Sequence, residues 1–180
     1  VREKTLKTRV VFQGRILRLE VLDIELEPGK RAQREIIRHP GAVVVIAELP
    51  DGRIVMVRQY RKPLEEEVIE AVAGLLEPHE QPRVCAAREV REETGYVAAK
   101  VNHLATVHAS PGYTDEKLHL FHVRLKPGRK STRLDEDERV VALHFRPDEV
   151  DRMIARGDIS DCKTLAAWLL FKEKKRRRRG

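Results

Sequence analysis

Cysteine is scarce in this sequence: Cys85 and Cys162 are the only two in 180 residues. They lie far apart and belong to no CxxC or Cys/His ligand spacing, which excludes a zinc ribbon or a disulfide scaffold and suits a reducing compartment. No run of eighteen apolar residues occurs, and the N-terminus has no signal-peptide core, so neither a spanning helix nor export is expected. The expectation is a soluble, cytoplasmic protein without a membrane partner. Glutamine and asparagine are few beside arginine, glutamate and lysine, a balance that thermophilic proteins share. No internal repeat or low-complexity segment interrupts the chain before its basic end.

What is present is a charged surface over enough apolar sequence for a core: 41% of residues are hydrophobic and 36% charged. A chain of this length suits one domain, or one with a small appendage. It buries roughly 70% of its extended-chain surface without help from a staple. The net charge of +7 is uneven. The run from Lys172 to Gly180 has seven cations against Glu173 and so supplies six of those charges, leaving the body near neutral. Such a tail could contact nucleic acid through a handful of phosphates. Its plainer reading is a solvated helix end whose cations suit the C-terminal dipole, and nucleic acid is not the expected partner.

Periodicity divides the chain. Val10 to Phe12, Ile16 to Leu26 and Ala32 to Arg38 alternate as antiparallel strands with turns at Gly14 and Pro28-Gly29. Ala42 to Leu49 is a short β-branched run suited to a buried strand, and Asp51-Gly52 turns it back into Ile54 to Val57. A helical pattern starts near Gln81 and stops at Thr94-Gly95, with Gly95 placed as its C-terminal cap. Strands are predicted at 101–107, 117–125 and 139–145, and helices at 147–156 and 162–174. This gives an N-terminal β module at 1–39, a main α/β domain at 40–171, and a basic tail at 172–180.

One stretch carries the chemistry: Gly74, five residues, Glu80, seven residues, then Arg88-Glu89-Val90-Arg91-Glu92-Glu93-Thr94-Gly95. Residues four apart on a helix differ by about 40° around the axis, so Glu89 and Glu93 share a stripe and Glu92 adjoins it. Ala86, Ala87 and Val90 form the neighbouring face, which puts the stripe at the edge of the core. Like charges this close repel by a few tenths of a kcal/mol per exposed pair, and by more when buried. A bound cation removes that penalty, and hard carboxylate oxygens suit Mg²⁺ or Mn²⁺. A solvated helix with Arg88–Glu92 ion pairs would account for Glu92-Glu93 alone, but not for the whole spacing.

That spacing resembles the Nudix box, with every charged position and both glycines matched and Tyr96 standing where the box ends on an aliphatic residue. The resemblance implies an α/β/α sandwich with a mixed sheet, following the small antiparallel β module. It implies two or more Mg²⁺ or Mn²⁺ ions per site, with Glu89, Glu93 and the backbone carbonyl of Ala73 as ligands. Glu92 would assist them, Arg88 would orient the carboxylates, and Glu80 would support Arg88. Gly74 and Gly95 are the structural glycines of the motif.

Outside the box the chain resembles the ADP-ribose pyrophosphatase subfamily. Val57-Arg58-Gln59-Tyr60-Arg61 leads to Glu70-Ala71-Val72-Ala73-Gly74, with Val72 where many members have proline. Pro111 lies fifteen residues past the box, in Ser110-Pro111-Gly112-Tyr113-Thr114-Asp115-Glu116. That loop could be a plain turn, but Glu116 holds the position of a general base or extra metal ligand. Arg61, and less strongly Arg34, would offer forked donors to phosphate. Glu70 would bond the substrate or pair with Arg61. Pro111 and Gly112 would line the substrate loop. Asp135 to Glu138 read as a solvated acidic turn, Cys85 as packed, and His108, His119 and His122 carry no assigned role.

The implied reaction is hydrolysis of ADP-ribose to AMP and ribose 5-phosphate by a homodimer paired through its N-terminal module. GDP-mannose, UDP-glucose or another nucleoside diphosphate sugar is the alternative substrate. A non-catalytic ADP-ribose sensor is the alternative class, although such proteins usually lose box glutamates and carry a DNA-binding domain.

Overall fold

A computed structural model of the protein describes residues 2–128 and 139–177; the acidic run Asp135 to Glu138 lies outside them. The chain forms two compact units, Val1–Gly41 with Val107–Leu118, and Ala42–Thr106 with His119–Gly180. Among the described residues, no helix is long and apolar enough to cross a membrane.

The first unit contains an antiparallel sheet in the order β1 (Lys4–Gln13), β2 (Arg18–Glu27), β3 (Lys30–Arg38). The first strand begins six residues before the predicted one, because Lys4 to Arg9 pair with β2 without any hydrophobic run to announce it. Gly29 turns β2 into β3 with φ of +82°, a conformation glycine adopts without a Cβ penalty. Glu20 is buried and forms ion pairs with Arg38 at 2.8 Å and Arg18 at 2.6 Å. That pairing allows a carboxylate on the covered face of β2.

Strands β4 (Ala42–Glu48), β5 (Ile54–Arg61), β6 (Glu66–Glu70), β7 (Val72–Leu75), β8 (Ala98–His108), β9 (Lys117–Leu125) and β10 (Val140–Phe145) build one mixed sheet. Its main path runs β10-β5-β4-β9-β8, with β6 on β5 and β7 on β4. The helices are α1 (Pro82–Thr94), α2 (Pro147–Arg156) and α3 (Cys162–Arg177). Pro82 opens α1, where its missing N–H costs nothing, and Gly95 closes it with φ of +73° and its N–H on the Arg91 carbonyl.

Alternation along β4 explains the layers. Val43, Val45 and Ala47 pack with Val55, Val57, Phe121 and Val123 against Cys85, Ala86 and Val90 of α1. Val44 and Ile46 point to the opposite face by the two-residue period, and they are equally buried. Glu48, on that same face, accepts hydrogen bonds from Lys175 of α3 at 2.6 Å and pairs with His122 of β9 at 2.8 Å. The helices α1 and α3 therefore cover opposite faces of β4, which is why AVVVIAEL reads as an unbroken apolar run. Tyr96 packs on the α1-side core, and its hydroxyl lies 3.0 Å from His144 Nε2. Cys85 is fully buried, with burial pushing its thiol pKa up.

The clasp at Glu48 sets an acid limit on stability. The hydrogen bond with His122, aided by Lys175 and opposed by burial, lowers its pKa from 4.5 to about 2. A carboxylate depressed on folding contributes stability that is present above its unfolded pKa and lost as pH falls through its folded one. Glu48→Gln is therefore expected to lower the melting temperature near pH 7 by several degrees, corresponding to about 1–3 kcal/mol for a charge-assisted bond. The gap from wild type should close as the pH falls from about 5 towards 2. A gap that stays constant across that titration, followed by circular dichroism, would refute the assignment.

Candidate functional site

The site is built where β7 runs into α1. Val43↔Gly74 and Val44↔Ala73 are register partners, so the backbone of Ala73-Gly74 is held by the buried strand β4. Across from it, α1 carries Glu89 and Glu93, both buried, and the half-buried Glu92. Glycine at 74 is a steric requirement: a Cβ there would lie 1.9 Å from the carboxyl carbon of Glu89. The carboxylate of Glu89 thus occupies the space that a side chain on β7 would otherwise take.

Arg88 organises the acids. Its Nη1 donates to Glu89 at 2.7 Å and to Glu92 at 2.9 Å, while Nε and Nη2 donate to Glu80 at 2.9 and 2.8 Å. Nη2 also reaches the Leu75 carbonyl at 3.1 Å, tying the helix to the end of β7. Glu80 accepts a further bond from the Glu77 N–H at 3.2 Å, so the connecting loop is stitched to the same guanidinium. The Arg88 hydrogen bond holds the Glu80 pKa near 2, and that pairing in turn pushes the Arg88 pKa up.

A second cluster lies at the ends of β5 and β6. Glu70, only 2% exposed, accepts two bonds from Arg61, at 2.6 and 2.9 Å, and a short one from Lys163 of α3. Burial pushes the Glu70 pKa up, but the two cations outweigh it and hold it below the ordinary range. Arg61 is raised by this bond first and also feels the charge of Glu93, which links the cluster electrostatically to the α1 stripe. The geometry pairs Glu70 with Arg61. Lys163, Asp161 and Thr164 were not assigned a site role from sequence. The available signal was an N-cap pattern, Asp161 ahead of an apolar helix, and the Thr164 N–H does donate to Asp161 at 3.0 Å.

Four further candidates, Arg34, Pro111, Gly112 and Glu116, belong to the first unit. Arg34 lies on β3 and forks onto Glu3 at 2.6 and 3.2 Å. The Pro111 loop is fastened to β3: the Ile37 N–H donates to the Tyr113 carbonyl at 2.8 Å, and Asp115 takes bonds from Arg38 and the His39 N–H, each at 3.0 Å. Pro111 and Gly112 are exposed at its tip. Glu116 follows with its N–H on Thr114 Oγ1 at 3.1 Å and its carboxylate 3.7 Å from His39 Nδ1. That nitrogen also accepts from the Gly41 N–H at 3.1 Å.

The donors near β7 and α1 are carboxylate and carbonyl oxygens, the kind that hard divalent cations take. No three His, Cys, Asp or Glu side chains among the described residues already converge as a finished ligand cluster. The tight packing of Glu89 over Gly74 nevertheless leaves a carboxylate beside the Ala73-Gly74 backbone, and Glu93 shares its stripe one turn on. The residues fit a magnesium-like ion.

Residues 38–168 match the NUDIX domain. The chain is 46% identical over 166 residues to the methanol dehydrogenase activator of Bacillus methanolicus, covering 92% of this chain and 90% of that protein. It is 40% identical over 174 residues to the ADP-ribose pyrophosphatase of Bacillus subtilis (strain 168), covering 95% and 94%. The crystal structure of an ADP compounds hydrolase superposes with a TM-score of 0.85 over 99% of this chain and 96% of that one, at 21% identity.

Gly74→Ala isolates the close approach. Its Cβ must displace the Glu89 carboxylate, the movable partner, so the apo protein should melt within a few degrees of wild type. Binding of Mn²⁺, read by electron paramagnetic resonance, should weaken by tenfold or more. Unchanged Mn²⁺ binding would show that Glu89 need not lie over Gly74.

Proposed function

The chain belongs to the Nudix family, and from that premise we propose that it hydrolyses the diphosphate bond of ADP-ribose, releasing AMP and ribose 5-phosphate. The observation that carries the reading is the pair of buried glutamates, Glu89 and Glu93, one helical turn apart and packed against a strand whose glycine leaves room for them. Its substrate follows from the 40% identity with an ADP-ribose pyrophosphatase along almost the whole of both chains.

In this reading Glu89, Glu93 and the Ala73 carbonyl hold Mg²⁺ or Mn²⁺, two or more ions, with Glu92 assisting. Bound there, the metal supplies neutralisation of the diphosphate charge and a lowered pKa for a bound water. The protein's own groups do the rest. Arg88 keeps the three carboxylates of its neighbourhood in fixed rotamers through forked bonds. Arg61 offers its remaining donor face to a phosphate oxygen while Glu70 fixes its plane. Glu116 takes the proton of the attacking water on the strength of its matched position, and its backbone is fixed by Thr114. Arg34, Pro111 and Gly112 contribute to substrate binding. Water attacks one phosphorus in line, and the bond to the bridging oxygen breaks. The two free thiols agree with action in a reducing cytoplasm.

The active form is a homodimer. All ten residues of β1 are exposed, including Leu6, Val10, Val11 and Phe12, and β1 ends its sheet. A long apolar edge strand is a template for pairing with another chain, and a second copy offers the same strand. Val10→Glu with Phe12→Asp is expected to halve the mass measured by light scattering; a wild-type protein already monomeric at micromolar concentration would rule the dimer out.

The enzymatic test is a substrate panel of ADP-ribose, GDP-mannose, UDP-glucose, NADH and dGTP, with Mg²⁺ and with EDTA. ADP-ribose should lead, EDTA should abolish turnover, and Glu93→Gln and Glu116→Gln should each lower kcat by about 10²-fold or more. A strong lead for another nucleotide sugar replaces the substrate and keeps the mechanism. If Glu116→Gln stays nearly fully active while Glu93→Gln does not, a box glutamate is the base. Tight ADP-ribose binding without turnover of any compound would make the protein a sensor.

A further inference from the structure

Strands β6 and β7 are nearly one strand, yet they belong to different partners. β6 pairs with β5 up to Val57↔Glu70, and β7 pairs with β4 from Val45↔Val72 onwards. The residue between them, Ala71, is 1% exposed, and its N–H belongs to neither ladder. A buried donor in that position requires a partner. It has one: Thr164 Oγ1 of α3 accepts it at 2.8 Å, across 93 residues of sequence.

Thr164 is itself held from behind. It is fully buried, and its hydroxyl donates to Asp161 Oδ2 at 2.5 Å. With its hydrogen committed to Asp161, the hydroxyl oxygen must present a lone pair, which is what the Ala71 N–H needs. The other oxygen of Asp161 accepts from Lys163 at 2.8 Å, and Lys163 also bonds Glu70. Residues 70 and 71, on either side of the switch, are thus both fixed by one turn of α3. Two residues further on is Ala73, whose carbonyl is the backbone ligand of the reading above; nine residues back from Glu70 is Arg61, held flat by that carboxylate.

We propose that Asp161, Lys163 and Thr164 form a positioning clasp that sets where β6 ends and β7 begins, and through it the place of the Ala73 carbonyl and the Arg61 guanidinium. Thr164 and Asp161 act on the carbonyl through Ala71. Lys163 acts on Arg61 through Glu70. None of the three is among the metal ligands of the reading above. Partners of this kind, one bond removed from a ligand, typically change metal affinity by about 10–100-fold.

This inference rests on the proposed metal site, and the test separates the two. Mn²⁺ binding to the full-length protein is measured by electron paramagnetic resonance, beside steady-state hydrolysis of ADP-ribose. Thr164→Val keeps the shape and removes the hydroxyl; Mn²⁺ affinity is expected to fall at least tenfold, kcat to fall with it, and Thr164→Ser to restore both. Lys163→Met should raise KM with Mn²⁺ affinity near wild type, because it loosens the Glu70 carboxylate that orients Arg61 while leaving the Thr164–Ala71 bond. Folded Thr164→Val with wild-type Mn²⁺ affinity overturns the proposal. If Thr164→Val does not fold, Asp161→Asn is read in its place, and unchanged Mn²⁺ affinity there overturns it equally. A wild-type protein that binds no Mn²⁺ overturns the metal site and the clasp together.

Discussion

Three carboxylates within two turns of one helix are the constraint around which the second unit is arranged. Glu89, Glu92 and Glu93 cannot share the edge of a core unless charge compensation, space and a rigid opposing backbone are all provided. Charge for Glu89 and Glu92 comes from Arg88, which reaches them and Glu80 with one planar fork, while Arg61 feels the charge of Glu93. Lysine could not do this, since a point charge on a flexible stem has no fixed set of directions to divide among three acids. Space comes from Gly74, and rigidity from pairing β7 onto β4, whose side chains are buried on both faces.

From that constraint the order of the chain becomes intelligible. The loop from Leu75 to Gln81 must bring α1 back over β7, and Arg88 fastens the turn at the Leu75 carbonyl and at Glu80, whose other bond holds the Glu77 N–H. The helix starts at Pro82 and stops at a left-handed glycine, so its length is fixed at both ends. Cys85, Ala86 and Val90 are small or branched residues that let the helix sit close to Val43, Val45 and Val72. Packing and acid placement are thus two faces of one thirteen-residue segment.

Much of this was legible in the sequence because local chemistry announced it. The box helix, its glycine cap, the Asp51-Gly52 hairpin and the two closing helices follow from periodicity and capping signals, and each is where the sequence puts it. The first six residues of β1 were not legible, since Leu6 is the one apolar side chain among three cations and two threonines, and they gain their strand geometry from β2. The switch at Ala71 was invisible for a different reason. Val68 to Leu75 reads as one run, and nothing in it says that its partner changes from β5 to β4. The residue that marks the change is Thr164, which lies 93 positions away. Glu48 with His122 and Lys175 is a similar case: three residues from three elements, each unremarkable alone.

The distribution of buried acid shows what sets the α1 stripe apart. Glu70 is flanked by Arg61 and Lys163, Glu20 by Arg38 and Arg18, and Glu48 by His122 and Lys175. In each of these the carboxylate has two nitrogen partners and is electrically finished. At the box one guanidinium, Arg88, is shared among Glu80, Glu89 and Glu92, with Glu77 at 4.0 Å. Carboxylates gathered in a partly desolvated place are stabilised by a divalent ion with oxygen preference.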